Sequence, residues 1–214
     1  MAETPATPAV FSAIINTAQS DAARRRTDIA LPVERVVMGA MCDLGLAIAG
    51  SLDSLGDAVH NVLGQIMPAT CTVIYVYDPA TDGLIARYVA GRYETALARL
   101  GIPVGQRLTG WVAAQRATII NSDAVLDLGS VAMELCPMPR SCLSTALFID
   151  DQIVGVLTVY SMSFEPFTDH HAAFVEVLAP RIARAIRGAR ITMSGPRPLV
   201  AARSLQSVNP ARAS

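Results

Sequence analysis

The chain has 214 residues, of which 52% are hydrophobic and only 16% are charged, and its formal net charge at pH 7 is −1. A chain of this size and composition can bury a core without disulfides or metals, and it is too apolar to be intrinsically disordered. The near-zero net charge provides no general attraction to nucleic acid or to an anionic membrane, so neither is expected as a partner.

The location of the protein is predicted from its cysteines and its apolar segments. The four cysteines are too few and too scattered for a disulfide framework. No apolar segment reaches the roughly 20 residues that a membrane-spanning helix needs. Glu3 stands where a signal peptide would carry basic residues. These features predict a cytoplasmic protein.

The first predicted elements are helical. Residues 1–31 are an N-terminal extension that is expected to be partly disordered, and the domain itself is predicted over residues 32–190. Its first helix lies between Pro32 and Gly50. A second helix begins after Ser51, whose side chain can cap it, and ends before a proline at position 68.

The pattern then changes to that of a sheet. Residues 71–77 and 84–89 are rich in β-branched and aromatic side chains, which predicts a hairpin of two buried strands. Two short helices are predicted at 92–100 and 108–115, and a strand is predicted at 117–121.

The rest of the domain begins with a long loop, which spans residues 122–141. Two further strands, 143–149 and 152–160, precede a closing helix that runs from the cap residue Thr168 to about residue 190. Residues 191–214 are predicted to be a disordered tail. This order of elements predicts an α+β fold with a mostly antiparallel sheet and helices on both of its faces.

Four stretches of the sequence carry a family resemblance: residues 102–113, 116–123, 144–161 and 164–169. In their order and spacing they resemble the GAF domain family, most of all the GAF domains found beside diguanylate cyclases and other bacterial signalling outputs. The resemblance implies a central six-stranded antiparallel sheet. It also implies that the two end helices pack on one face and that a ligand pocket forms on the other.

The function implied by this resemblance is that of a bacterial sensory domain. We expect it to bind an unidentified small molecule and to regulate a separate signalling protein in trans, without being an enzyme itself. The resemblance does not identify a cofactor. The alternatives are a cysteine-dependent enzyme similar to free methionine sulfoxide reductases, and a dimerisation module without a ligand.

The candidate pocket centres on Trp111, the only tryptophan, which lies on a predicted short helix above the sheet. It either packs in the core or forms a wall of the pocket. No metal site is expected, and the absence of lysine excludes a phosphate-binding P-loop. The candidate ligand-binding residues are Trp111, Tyr75, Tyr88, Asp123, Arg140 and Thr145.

Two cysteines, Cys136 and Cys142, are the candidate redox residues because they lie in and just after the long loop. Their spacing is not that of a zinc or thioredoxin-like motif. In the reductases of the GAF family a partner cysteine lies in the turn that matches residues 108–110, and this sequence has none there. Two unrelated thiols are therefore the favoured interpretation.

The end helices also predict a homodimer. Each carries apolar residues at alternating steps of three and four, which is close to the 3.5-residue repeat of a helix–helix seam. We expect part of this apolar surface to lack an intramolecular partner and to pair with a second copy. The residues concerned are Val37, Met41, Leu44 and Ile48 in the first helix, and Val175, Leu178, Ile182 and Ala185 in the last.

Overall fold

The computed structural model describes residues 51–188. Its helices are α1 (Leu52–Ile66), α2 (Glu94–Leu97), α3 (Arg107–Gln115), α4 (Ala124–Leu128) and α5 (Asp169–Gly188), with a 3-10 helix at Gly129–Glu134. Its strands are β1 (Cys71–Asp78), β2 (Gly83–Gly91), β3 (Gly101–Pro103), β4 (Thr118–Asp123), β5 (Ser141–Ile149) and β6 (Gln152–Ser161). The predicted extension over 1–31, the helix before Gly50 and the tail over 191–214 lie outside the described residues.

The six strands form one antiparallel sheet in the order β3-β2-β1-β6-β5-β4. Two hairpins, β1–β2 and β5–β6, build most of it, and β1 pairs with β6 at its centre. This arrangement confirms the predicted α+β fold with a six-stranded antiparallel sheet. It buries β1 and β6 between neighbours on both sides, which agrees with their near-continuous apolar sequences.

One face of the sheet, here called the terminal-helix face, is covered by α1 and α5. Ser51 caps α1 as predicted, because its hydroxyl accepts a hydrogen bond of 3.2 Å from the backbone N–H of Ser54. The apolar side of α1 packs on the sheet through buried residues such as Leu55, Val59 and Leu63. Helix α5 packs beside it in the same apolar layer.

The predicted dimer stripe of α5 is already used inside the domain. Val175, Leu178, Ile182 and Ala185 are all buried in the apolar layer of the terminal-helix face. The expectation that they form a seam with a second copy is therefore wrong, because their own sheet already covers them. The matching stripe of residues 37–48 lies outside the described residues.

The opposite face of the sheet, here called the cap face, is covered by α2, α3, α4 and the 3-10 helix. Helix α4 and the 3-10 helix replace most of the predicted 122–141 loop, and they are short enough to escape notice in the sequence pattern. Strand β3 was also missed, because its three residues include Gly101 and Pro103, which both disfavour strands.

Within residues 51–188, no helix combines the length and the apolar character needed to cross a membrane.

Candidate functional site

A group of polar side chains is buried on the cap face, within an otherwise apolar layer. Its members come from β1, α3, α4, β5 and β6, and each of them is 0% exposed. Burying polar groups is unfavourable unless they are hydrogen-bonded, and these groups bond mainly to one another. We call this group the Asp127 cluster; its members are Asp127, Thr109, Thr158, Ser144, Tyr160 and Tyr75.

Asp127 is the hub of the cluster. One carboxylate oxygen accepts a hydrogen bond of 2.7 Å from the backbone N–H of Thr109, and the other accepts one of 2.9 Å from the Thr109 hydroxyl. The second oxygen also accepts a hydrogen bond from the hydroxyl of Tyr160. Asp127 thus joins the first turn of α3 to α4 and to β6, which fixes the cap to the sheet.

Two chains of hydroxyl groups lead away from this hub. In the first, Thr109 Oγ1 lies 3.1 Å from Thr158 Oγ1, which in turn lies 3.0 Å from Ser144 Oγ. In the second, the hydroxyl oxygen of Tyr160 lies 3.4 Å from that of Tyr75. The two chains extend the polar group across β1, β6 and β5, which are three consecutive strands of the sheet.

The local structure around α4 holds Asp127 in place. Asp123 caps the start of α4 by accepting a hydrogen bond of 2.9 Å from the backbone N–H of Val125. At the other end, the Arg107 guanidinium donates to the backbone carbonyls of Asp127 and Leu128, at 3.5 and 3.2 Å. A cation at the C-terminal end of a helix is favourable, so Arg107 supports the turn that carries the carboxylate.

Burial raises the pKa of the Asp127 carboxyl above its ordinary value of 3.8. The hydrogen bonds from Tyr160 and Thr109, together with the positive charge of Arg107, oppose that rise. Three donors converge on the two oxygens, which is how an ionised carboxylate is stabilised in a buried place. The cluster therefore holds the Asp127 carboxyl group beneath the cap through three donors, and no cation of residues 51–188 pairs with it directly.

Two of the predicted ligand-binding residues, Trp111 and Tyr75, belong to this layer. Trp111 is on α3, is 9% exposed and packs in the apolar layer of the cap face. Tyr75 is on β1, in the same layer, and is also a member of the Asp127 cluster. Both therefore belong to the face on which the resemblance implied a pocket.

Tyr88 and Thr145 are on the terminal-helix face, so grouping them with Trp111 was wrong. Strand alternation predicts that Tyr88 faces the same way as Leu84 and Ala86, but the register skips one residue of β2: Ile74 pairs with Tyr88 and Tyr75 with Ala86. This bulge reverses the alternation. Tyr88 then donates a hydrogen bond of 2.8 Å to Asp57 of α1.

Thr145 lies between Leu143 and Leu147 on β5, and both of these belong to the terminal-helix layer. Because side chains alternate along a strand, Thr145 faces the same way as they do. Its hydroxyl lies 2.8 Å from that of Thr118 on the neighbouring strand, which satisfies both groups. Thr145 is therefore separated from the Asp127 cluster by the sheet itself.

Asp123 and Arg140 lie at the exposed rim of the domain, where β4 meets β5. Asp123 is exposed and serves as the helix cap described above. Arg140 is exposed, and its guanidinium carbon lies 5.2 Å from the centre of the Phe164 ring. Neither side chain joins the buried cluster.

The three described cysteines are free thiols with different surroundings. Cys142 is completely buried on the cap face, and burial raises the pKa of its thiol well above the ordinary value of 9.0. Burial likewise raises the pKa of Cys71 to about 12. Cys136 is exposed. Since the thiolate is the reactive form, Cys136 has the most accessible thiol chemistry of the three.

The loop that carries Cys136 is attached to the cap face by a tyrosine. The hydroxyl of Tyr93 donates a hydrogen bond of 2.5 Å to the carbonyl of Pro137, and its oxygen lies 3.0 Å from the sulfur of Met162.

Among residues 51–188, no three His, Cys, Asp or Glu side chains are grouped so that they could hold a metal ion.

The sequence did not reveal the hub of the cluster. Asp127 lies between two leucines in a segment without clear periodicity, where a single acid is usually solvated. A weaker signal was present in β6, where Thr158 and Tyr160 alternate with apolar residues and so share one face. That pattern points to polar groups on the inside of the sheet, although it does not identify their partner.

Known structures share this fold. One is the GAF domain of a phosphoenolpyruvate-protein phosphotransferase from Coxiella burnetii, which superposes with a TM-score of 0.63 at 18% sequence identity. The alignment covers 76% of this chain and 97% of that domain. The corresponding domain from Acinetobacter has a TM-score of 0.62 at 15% identity, and the alignment covers 75% of this chain and 96% of that domain. A free methionine-R-sulfoxide reductase from Neisseria meningitidis, in complex with its substrate, has a TM-score of 0.57 at 22% identity, with coverage of 77% and 93%.

These similarities correct one prediction. The inference that the chain is not an enzyme is wrong as drawn, because free methionine-R-sulfoxide reductases recur among the structures with this fold. At these identities the likeness concerns the fold alone, so it does not assign the reductase reaction to this chain either.

The family itself follows from the sequence. No curated protein matches the chain. A family model described as a GAF domain matches residues 49–187, which is more than half of the 214 residues. The match covers all six strands and both helices of the terminal-helix face. The chain therefore belongs to the GAF domain family.

Proposed function

We propose that this GAF domain is a sensor that binds a small molecule on its cap face and regulates a separate signalling protein. The observation that carries the proposal is the Asp127 cluster, since it places six buried polar side chains on this face. Binding sites for small molecules are mostly apolar but contain a few fixed polar groups, and the cap face has this composition.

The construction of the cap also favours binding there. Its cover consists of short helices, α2 with 4 residues and α4 with 5, whereas α5 on the other face has 20. Short segments have few buried contacts of their own, so they open at a lower free energy than long packed helices. A ligand would enter by displacing this cover, and the change in cap position would be the signal that a partner reads.

Trp111 provides the test, because it is the only tryptophan and lies in the cap. Native mass spectrometry of freshly purified protein is expected to show a co-purified small molecule. Adding that molecule to stripped protein should change the Trp111 fluorescence in a saturable way. Protein that carries nothing, and whose fluorescence responds to unfolding but to no cell extract, would contradict the proposal.

The proposed sensor acts as a homodimer. The apolar stripe of α5 is buried inside the domain, so the proposal rests on the predicted first helix, whose residues Val37, Met41, Leu44 and Ile48 follow a helical spacing. Light scattering should give twice the chain mass of 22.6 kDa. The double change Met41→Glu and Leu44→Glu is expected to give a soluble monomer, and a wild type that is monomeric at tens of micromolar would exclude the dimer.

A second candidate function is reduction of a small sulfoxide at Cys136, which is favoured by the exposure of this thiol and by the reductases that share the fold. The Cys136 sulfur would attack the sulfoxide sulfur, giving a sulfide and a cysteine sulfenic acid. Two equivalents of an external thiol would then restore Cys136 and release a disulfide and water. The sulfoxide is thus reduced by two electrons that come finally from the external thiol.

A paired assay separates this candidate from the sensor. The protein is incubated with free methionine-R-sulfoxide and dithiothreitol, and methionine is measured. If the candidate holds, Cys136→Ser abolishes turnover and Cys142→Ser leaves most of it, because the Cys142 thiol is buried and protonated. No turnover by the wild type, or equal turnover by Cys136→Ser, would exclude it.

A further inference from the structure

When Asp127 is ionised, every hydroxyl proton of the Asp127 cluster must point towards it. An ionised carboxylate only accepts hydrogen bonds, whereas a hydroxyl group has a single proton to donate. Thr109 and Tyr160 both donate to the carboxylate. Neither has a second proton, so each can act only as an acceptor towards its next neighbour.

This constraint passes along the threonine chain. Because Thr109 has used its proton, the contact of 3.1 Å with Thr158 requires Thr158 to be the donor. The contact of 3.0 Å between Thr158 and Ser144 then requires Ser144 to be the donor. The direction of the whole chain is fixed by the charge at its centre.

The tyrosine chain ends in the same way. Tyr160 has used its proton, so Tyr75 must donate across the contact of 3.4 Å. Both terminal oxygens, Tyr75 Oη and Ser144 Oγ, are 0% exposed. Among residues 51–188, no group donates a hydrogen bond to either of them. The ends of the cluster therefore offer lone pairs only.

We propose that the cap face selects ligands that present a hydrogen-bond donor, such as an amine or a ring N–H, and discriminates against ligands of the same shape that only accept. This selectivity rests on the proposed binding function and concerns the same face. A donor completes a hydrogen bond with Tyr75 or Ser144, whereas an acceptor places its lone pairs against theirs and leaves both groups unsatisfied.

The structure also indicates how to reverse the selectivity. In Asp127→Asn, the amide oxygen can keep the bond from the Thr109 backbone N–H, while the amide NH₂ replaces the oxygen that accepted from Thr109 and Tyr160. These two hydroxyls must then accept and pass their own protons outward. Tyr75 and Ser144 finish as donors, so the variant is expected to favour acceptor ligands.

The direction of the chains can be measured without any ligand. In protein labelled with ¹³C at tyrosine Cζ, a phenol that donates has a more downfield resonance than one that accepts. Tyr75 donates to Tyr160 in the wild type and accepts from it in Asp127→Asn, so the Tyr75 resonance should move upfield in this variant, and Tyr75→Phe assigns the signal. The matched control is Asp123→Asn, which removes an acid from the same segment but keeps its cap and does not touch the cluster. An unchanged Tyr75 signal in folded Asp127→Asn would overturn the inference.

Pyrrole and furan then test the selectivity, since they have nearly the same shape but only pyrrole has an N–H. Titrations followed by the Trp111 and tyrosine signals should show that the wild type and Asp123→Asn bind pyrrole about 5-fold more tightly than furan, the ratio supplied by one net hydrogen bond. Asp127→Asn should prefer furan. Tyr75→Phe, which removes one terminal acceptor, should weaken the pyrrole preference even if Asp127→Asn does not fold.

The outcomes separate this inference from the proposed function. Saturable binding with equal affinities, or with furan preferred by the wild type, overturns the donor selectivity and leaves a binding site on the cap face. No saturable response to either probe, in protein whose tyrosine signals are those of the folded state, contradicts binding on this face and the selectivity with it.

Discussion

Thr168 and His171 exchange reciprocal hydrogen bonds at the start of α5. The backbone N–H of Thr168 donates to Nδ1 of His171 at 3.1 Å, and the backbone N–H of His171 donates to the Thr168 hydroxyl at 3.4 Å. This is the arrangement of a capping box in which histidine occupies the place usually held by glutamate or glutamine. Because Nδ1 accepts, the imidazole must be neutral for the box to form.

The first prediction is therefore a dependence of stability on pH. Burial lowers the pKa of His171 below its ordinary value of 6.5; the neighbouring His170 adds to this, and a hydrogen bond to the Ile66 backbone opposes it. A lowered pKa means that the unfolded chain binds a proton at a pH where the folded chain does not. The stabilisation is complete above about pH 7 and is lost as the pH falls through the folded-state pKa.

Thermal unfolding followed by circular dichroism between about pH 7.5 and 5.5 tests this. His171→Gln keeps an acceptor for Thr168 but does not titrate, so its melting temperature should fall less with decreasing pH than that of the wild type. His170→Gln is the matched control: its side chain is exposed and outside the box, so this variant should keep most of the pH dependence and lose only the smaller contribution of His170 to the lowered pKa of His171. An identical slope for the wild type and His171→Gln would refute the assignment.

The second prediction compares two glycines inside helices. A Cβ added at Gly110 of α3 would lie 2.2 Å from the backbone oxygen of Pro103, whereas one at Gly64 of α1 would meet nothing within 4 Å. Alanine is favoured over glycine in both helices by about 0.5–1 kcal/mol. Gly64→Ala should gain that amount, while Gly110→Ala should lose roughly 1–3 kcal/mol because α3 must move away from β3. Urea unfolding of both variants measures the difference, and equal effects would show that α3 does not approach β3 closely.

The third prediction concerns thiol reactivity. Iodoacetamide at about pH 8 should label Cys136 at least about 100-fold faster than Cys142 or Cys71 in the native protein, because burial raises the pKa of both buried thiols. Peptide mapping by mass spectrometry identifies each site separately. All three should react at similar rates in urea, which serves as the control. Rapid native labelling of Cys142 would mean that the cap opens more often than this packing allows.

Much of the fold was predictable because its signals are local. Ser51 and the proline at position 68 delimit α1, and the β-branched run from Cys71 marks β1. Helix α4 was not predictable, since it has only five residues and its position depends on the contact of Asp127 with α3 and β6. Tertiary hydrogen bonds of this kind leave no periodic trace in the sequence.

The candidate site was only half predictable for a similar reason. Trp111 was expected above the sheet because it lies on a predicted short helix, and Tyr75 was grouped with it; both are on the cap face. Tyr88 was misplaced because the bulge in β2 reverses the alternation, and a bulge depends on the pairing of two strands and not on the residues of one. The pattern along a single strand therefore predicts well that a residue is buried. It predicts less well on which face of the sheet that residue lies.

The last prediction compares the energies of two buried threonine hydroxyls. Thr109 donates to the carboxylate of Asp127 at 2.9 Å, while the Thr118 hydroxyl lies 2.8 Å from that of Thr145 in a pair without charge. Valine has the shape of threonine, so Thr109→Val and Thr118→Val each remove one hydroxyl with little change in packing. Hydrogen bonds to a charged group are stronger, so Thr109→Val should cost roughly 1.5–3 kcal/mol and Thr118→Val about 1 kcal/mol. Urea unfolding near pH 7 measures both. Equal costs would mean that Asp127 is protonated in the folded protein, because only an ionised carboxylate makes the Thr109 bond the stronger one; in that case the hydroxyl chains would not all point towards it.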